Sequence, residues 1–389
     1  MMPTDTARAE AISASGWAYP VRILQARNPA FWVYAFLVAG GAFTFYGLVG
    51  DVGAYPTAVV LSVALLTLFT LPFVWFIAHA DRYEREPAKL ALLGFLWGGL
   101  AATWVMALPG NAAVLSIYSK LFGVDFAASW GPPLTAPFVE ESSKYVGLIL
   151  LFLLARNHVR SAYDGLLLGA FTGLGFQVFE NFQYMSNAVL NNFGASPVQD
   201  VVTVFAMRAA TGPWSHALYT AIAGAGLGYV IGATDRSRGH RVAVAAGLLA
   251  VAMVLHGSLD AVAAVGAATI PFTVIAGTLG IVLVWRFADR RQRTWIDTLL
   301  APDTQAGTIT AEELAALTGR SKDRKEYLKR IRRQHGRPAA RHARHILDAE
   351  TELAAAIAAT DDPDGGDAQA ARAELARIRA LAATAPRDR

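Results

Sequence analysis

The residues best suited to chemistry in this chain stand where charge is least expected. Pro137-Phe138-Val139-Glu140-Glu141-Ser142-Ser143-Lys144 sets two adjacent carboxylates and an ammonium inside an apolar run from Trp130 to Leu154. Each charged side chain at bilayer depth costs at least about 2.5–3.5 kcal/mol on insertion scales, so three so close together call for a compensating role. On a helix Lys144 falls one turn from both acids and can neutralise either of them. Pro137 removes the backbone bond to the carbonyl of Pro133 and is expected to kink the helix one turn before the acids, opening a polar pocket there.

Other ionisable residues inside apolar stretches are Glu180, His216, and His256 with Asp260. Counted along their helices, Glu140, Glu180, His216 and His256 fall at comparable depth, in the outer half of a bilayer. Two imidazoles and a carboxylate from separate helices, beside a further glutamate, are the inventory of a metal-assisted hydrolase: a few ligands, an open position for water, and a base. Asp260, one turn after His256, can orient that ring or bind metal itself. The expected ligands are therefore Glu180, His216, His256 and Asp260. Zinc is the favoured ion, because the donors are imidazole nitrogen and carboxylate oxygen and the chain contains no cysteine. Asn181, Gln177, Ser215 and Trp214 can line the same cavity, with Asn181 the candidate oxyanion donor. The same layer of Glu, His and Asp also describes the proton relay of an ion-coupled transporter, and a silent scaffold with a recruiting tail is a third reading. No half of the chain repeats the other, and the acids fall in one part of it, which speaks against the transporter.

These side chains need a membrane bundle to hold them. With 54% hydrophobic and 16% charged residues, the chain is too apolar for a soluble protein of this size. Apolar blocks at 31–50, 57–79, 88–108, 130–155, 163–185, 206–233, 242–265 and 269–287 predict an all-α, polytopic fold of about eight transmembrane helices. Lys and Arg alternate between the connections: Arg22 and Arg27, Arg82 to Lys89, Arg156 with Arg160, Arg236 to Arg241, and Arg286 to Arg293 fall on one side. The positive-inside rule makes that side, and both termini, cytoplasmic in the cell membrane. Helix 5 carries Gly165, Gly169 and Gly173, and helix 6 carries Gly224, Gly228 and Gly232, each a flat stripe for close backbone approach.

Three regions result. Residues 1–29 form a cytoplasmic or interfacial segment around Trp17 and Tyr19. Residues 30–288 form the transmembrane core, and residues 289–389 a charged, helical, cytoplasmic tail that holds more than half of the Lys and Arg. In the tail, Thr310 and Glu313 predict a capping box, and Lys322 to Arg333 and Ala339 to Ala359 are expected to be helical. The basic run can meet anionic lipid; nucleic acid is the less favoured partner, and a solvated tail is the plainest account.

Taken together, Glu140-Glu141-Ser142-Ser143-Lys144 as EExxK, Phe176 to Asn181 as FxxxEN, the lone His216, and His256 to Asp260 as HxxxD resemble the PrsW family of intramembrane proteases. That family is related to the CAAX prenyl endopeptidase superfamily. Asp81 to Pro87 is also similar to the family's DxYExEP loop. The resemblance implies an endopeptidase cutting membrane-anchored substrates such as anti-sigma factors. It implies Glu140 as the activator of water, with Glu141 and Lys144 beside it in the catalytic set. Glu180 stands where the prenyl endopeptidase relatives have His, which leaves a metal-free glutamate mechanism as the alternative.

Overall fold

Every element found in the computed structural model is helical, and the model describes residues 23–80, 88–155, 158–159, 161–232, 236–360 and 364–384. Trp17, Tyr19, the Asp81 to Pro87 loop and Asp361 to Pro363 lie outside the described residues. The chain divides into two units: Val21–Asp81 with Glu86–Ala288, and a second made chiefly of Asp289–Arg389.

In the first unit the chain runs through α1 (Pro29–Val52), α2 (Pro56–Ala80), α3 (Ala88–Phe122), α4 (Val124–Leu154) and α5 (Ala162–Asn191). It continues with α6 (Pro197–Thr211), α7 (Ser215–Gly232), α8 (Arg238–Asp260), the short α9 (Val262–Val265) and α10 (Thr269–Gln305), whose residues after Ala288 are counted with the second unit. Five of these, α1, α2, α3, α8 and α10, are long and apolar enough to cross a membrane. The helices that carry Glu140, Glu180 and His216 are not in that set, because charged residues or glycines lower their apolar character.

Two boundaries differ from those the hydropathy predicts, and both move a site residue. The block at 206–233 is two helices, separated at Gly212-Pro213-Trp214, where proline lacks the N–H and restrains the residue before it. His216 therefore sits at the start of α7 and not midway along a span. Helix α5 runs on to Asn191, so Glu180 lies in its interior and not near its end. Helix α4 keeps one continuous helical path although it contains Pro132, Pro133 and Pro137. The carbonyl that Pro137 leaves unpaired is that of Pro133, and Gly257 of α8 packs directly over it.

The α5–α7 contact centres the unit, and its glycines explain it. A Cβ on Gly165 would overlap the carbonyl of Gly224, and one on Gly224 would overlap that of Gly165. One step along, Gly173 lies against the backbone of His216, so backbone-to-backbone packing sets the height of the site histidine. Against the other side of α5 lies α3, whose Trp97–Ala107 stretch is π-helical, with Thr103 Oγ1 donating to Gly98 O at 2.8 Å. Trp97 is fully buried there and donates from Nε1 to Ser143 O at 3.0 Å, tying α3 to the turn of α4 that bears the acids.

The second unit contains α11 (Ala311–Thr318), α12 (Ser321–Thr360) and α13 (Gly366–Thr384), packed around buried Leu317, Leu347, Leu353 and Leu375. Thr310 and Glu313 form the expected capping box. Helix α12 is broken at Gly336, whose φ of 85° belongs to the left-handed region. Arg372 grips Asp303 through Nε at 2.6 Å and a second nitrogen at 2.9 Å, and Arg379 bridges Glu313 and Glu350. The tail is thus a folded unit with its own apolar core, beyond the solvated helices that its composition suggests.

Candidate active site

Helices α4, α5, α7 and α8 bring Glu140, Glu141, Lys144, Glu180, His216 and His256 into one buried cluster. The cluster borders a cavity of about 340 Å3 that is also lined by Asn111, Tyr184, Arg208, Ser215 and Asp260.

Proton bookkeeping fixes the orientation of each group. Lys144 is completely buried, and its Nζ lies 2.6 Å from Glu141 Oε1 and 4.0 Å from Glu140 Oε2. The ammonium therefore belongs to Glu141. It also donates to His216 Nδ1 at 2.9 Å, over the face of the Phe176 ring at 4.1 Å. An ammonium has no acceptor, so His216 Nδ1 carries the lone pair, and its Nε2 faces Glu180 Oε2 at 3.0 Å as the donor. His256 is the mirror case. Its Nδ1 donates to Glu141 Oε1 at 2.9 Å, and its Nε2 points at Asp260 Oδ2, 3.3 Å away, and at Glu140 Oε2, 3.7 Å away. Each imidazole is held on one nitrogen by a carboxylate and turns the other toward Glu140. Tyr219 stacks on the His256 ring at 5.5 Å and fixes its plane.

Glu140 is held differently from its neighbour. Asn111 Nδ2 donates to Glu140 Oε1 at 2.9 Å, while the buried Oε2 has no hydrogen-bond partner. Around it lie His256 Nε2 at 3.7 Å, and His216 Nδ1 and Lys144 Nζ at 4.0 Å each. The Lys144 ammonium, 4.0 Å from Glu140 Oε2, is the cation that borders this group of carboxylates and imidazoles. Glu140, His216 and His256 are also the described residues whose ligand atoms lie close enough together to hold a metal ion. The donor set is nitrogen and carboxylate oxygen, which suits zinc and related divalent ions.

Two residues stand elsewhere than the sequence reading has them. Glu180 is not in that metal-holding group: its Oε2 is taken by the Arg208 guanidinium and by His216 Nε2. Asn181, the expected oxyanion donor, accepts from Arg208 Nε at 2.7 Å and so supports the guanidinium. Gln177 is likewise engaged, donating to Pro213 O at 2.6 Å across the α6–α7 break. Arg208 and Asn111 are the functional candidates that sequence reasoning missed. Arg208 had a signal, a lone guanidinium within an apolar block, but Asn111 is one neutral amide in a helix and gave none.

The PrsW family intramembrane metalloprotease model matches residues 86–288, which is more than half of the chain. Protease PrsW of Bacillus subtilis (strain 168) is 27% identical over 199 residues, covering 51% of this chain and 77% of that protein. Protease PrsW of Geobacillus kaustophilus (strain HTA426) is 28% identical over 162 residues, covering 42% of this chain and 60% of the relative. For Protease PrsW of Clostridioides difficile (strain 630) the figures are 28% over 129 residues, 31% and 51%. No solved structure matches. The matched residues include every helix that contributes to the Glu140–His216–His256 cluster, and the chain belongs to the PrsW family of intramembrane metalloproteases.

Proposed function

We propose that the protein hydrolyses a peptide bond in a membrane-anchored protein substrate, of which anti-sigma factors are the class the family resemblance suggests, with water activated at Glu140. The observation that carries this reading is the convergence of Glu140, His216 and His256, whose ligand atoms lie within 4.8 Å of one another on the wall of one polar cavity. His216 and His256 would hold a divalent metal, zinc by donor type, with Glu140 beside them and Asp260 Oδ2 3.3 Å from His256 Nε2. The metal when bound supplies Lewis acidity and lowers the pKa of water.

The chain's own groups then divide the work. Asn111 holds Glu140 Oε1, which leaves Oε2 to take a proton from the attacking water and return it to the leaving amide nitrogen. Glu141, neutralised by Lys144, keeps the Nδ1–H of His256 oriented. Glu180 does the same for Nε2–H of His216. Arg208, on the cavity wall, offers positive charge where an oxyanion develops. The transporter alternative is not favoured, since the family is one of proteases.

The reading includes eight membrane crossings with both termini cytoplasmic, supported by the alternation of Lys and Arg between connections. The experiment is cleavage of a purified membrane-anchored peptide by the full-length protein in detergent. Wild type should cut it and Glu140→Gln should not; full cleavage by the variant would remove Glu140 from the mechanism.

A further inference from the structure

Within the tail unit, the break at Gly336 folds α12 back so that two basic limbs face one another. Lys325, Lys329 and Arg332 project from one limb and Arg337, Arg341 and Arg344 from the other, around a cleft of about 560 Å3. On each limb these residues recur at helical spacing, so they form one face. Leu328 and Ala340 supply the apolar part of the lining, His345 adds an imidazole, and no acid lines the cleft. The neighbouring cations behave otherwise: Arg324 pairs with Asp348 at 2.6 Å and Arg330 with Glu312 at 2.7 Å, both outside the cleft. None of the six cleft cations forms an ion pair with a described acid.

Like charges one turn apart, as at Lys325 with Lys329 and Arg337 with Arg341, weaken a helix. Stability alone would disperse them. A concave site of this size suits a compact ligand, and its charge calls for several anionic groups; guanidinium forks match phosphate oxygens. The absence of Phe, Tyr and Trp from the lining removes the broad platform on which single-stranded nucleic acid stacks. We propose that this cleft is a binding site for a compact polyphosphate group, carried either by a soluble phosphorylated molecule or by a lipid headgroup. This inference does not depend on the protease site.

The test uses full-length protein in nanodiscs of zwitterionic lipid, titrated with inorganic tripolyphosphate by calorimetry at fixed salt. Binding is expected in wild type, and Arg337→Glu/Arg341→Glu should weaken it at least about tenfold. Lys322→Glu/Arg333→Glu changes the charge of the same helix equally but outside the cleft and should leave affinity within about twofold. All four positions are exposed, and melting temperatures should match wild type. Repeating the titration in discs containing cardiolipin separates the sources. Suppressed tripolyphosphate binding identifies the headgroup as the occupant, and unchanged binding identifies a soluble one. Absence of both tripolyphosphate and cardiolipin effects, or equal losses in the two double variants, would overturn the proposal.

Discussion

Lys144 Nζ lies 2.6 Å from Glu141 Oε1 while its distance to Glu140 is 4.0 Å, so one buried cation divides two adjacent glutamates into a paired and an unpaired acid. Sequence spacing makes both pairings accessible, since Lys144 is one turn from either residue. The choice follows from what else surrounds the acids: Thr220 and His256 also reach Glu141, whereas Asn111 takes only one oxygen of Glu140.

That division predicts opposite phenotypes. Glu140→Gln keeps the shape and the Asn111 contact but cannot take a proton, so cleavage should fall at least about 10²-fold with melting temperature and metal content near wild type. Glu141→Gln leaves a buried ammonium without its anion, a loss of up to about 3–5 kcal/mol, so stability should drop and turnover only in part. Cleavage and thermal melts on the same preparations check both. Metal lost along with activity in Glu140→Gln would make that carboxylate a ligand, and a dead but stable Glu141→Gln would transfer the base role to it.

The grouping of Glu140, His216 and His256, close enough to hold a metal ion, gives the second prediction. Elemental analysis of purified protein should find about one equivalent of zinc, and His216→Ala/His256→Ala should abolish both metal and cleavage. A strong chelator should inhibit wild type, and added zinc should restore it. Active, well-folded protein that is metal-free and chelator-resistant would leave the histidines as acid–base groups.

How much of this could be read from sequence depends on what kind of signal each residue gives. Glu140, Lys144, Glu180, His216 and His256 announce themselves because ionisable groups in apolar helices are costly, and the cluster they form does fall on separate helices. The start of α7 at Ser215 was not legible, because a hydropathy window runs through Gly212-Pro213 without registering the lost N–H. Asn111 was not legible either: an uncharged amide becomes informative only when α3 and α4 come together and it meets Glu140 Oε1. The glycine stripes were readable as close approach, but which carbonyl each one meets required the packed pair.

Arg208 supplies the third prediction. It lines the cavity, pairs with Glu180 and donates from Nε to Asn181 Oδ1 at 2.7 Å. Arg208→Met should free the Glu180 carboxylate from its cation and weaken its hold on His216, lowering cleavage or metal affinity by about 10–100-fold. Arg208→Lys should restore only part, since an ammonium cannot span Glu180 and Asn181 as a guanidinium does. Full activity in Arg208→Met would place the residue outside the reaction.

Topology can be checked separately. Reporter fusions in the loops near Asp51, Lys120 and Asn192 should behave as external, and fusions at the C-terminus as cytoplasmic. A cytoplasmic signal at Asn192 would mean that α5 does not cross outward, and would overturn the eight-crossing reading.

The tail offers a pH dependence independent of the membrane site. Burial pushes the Glu350 carboxyl up to about 9, the nearby Glu313 carboxylate adds to the rise, and Arg379 works against it. Glu313 itself is lowered: burial opposes ionisation, and hydrogen bonds from Arg379 and Thr310 outweigh it. An unfolded glutamate ionises near about 4.3. Between that value and about 9 the folded tail keeps a proton on Glu350 that the unfolded chain releases, so stability falls as pH rises through this window. The contribution is fully present below the lower value. Glu313 acts in the opposite sense, and its share disappears only as pH falls below the ordinary carboxylate range. From about pH 6 to 9, then, Glu350 alone of the two sets the trend. Glu350→Gln keeps a neutral group of the same size next to Arg379 and should flatten it. Pulse proteolysis of the tail in full-length protein measures this, with the ratio of wild type to Glu350→Gln at each pH cancelling the protease's own profile. The ratio should rise at least about tenfold from pH 6 to pH 9, the equivalent of one unit of differential protonation. An unchanged ratio would mean that Arg379 satisfies both carboxylates as anions across the range.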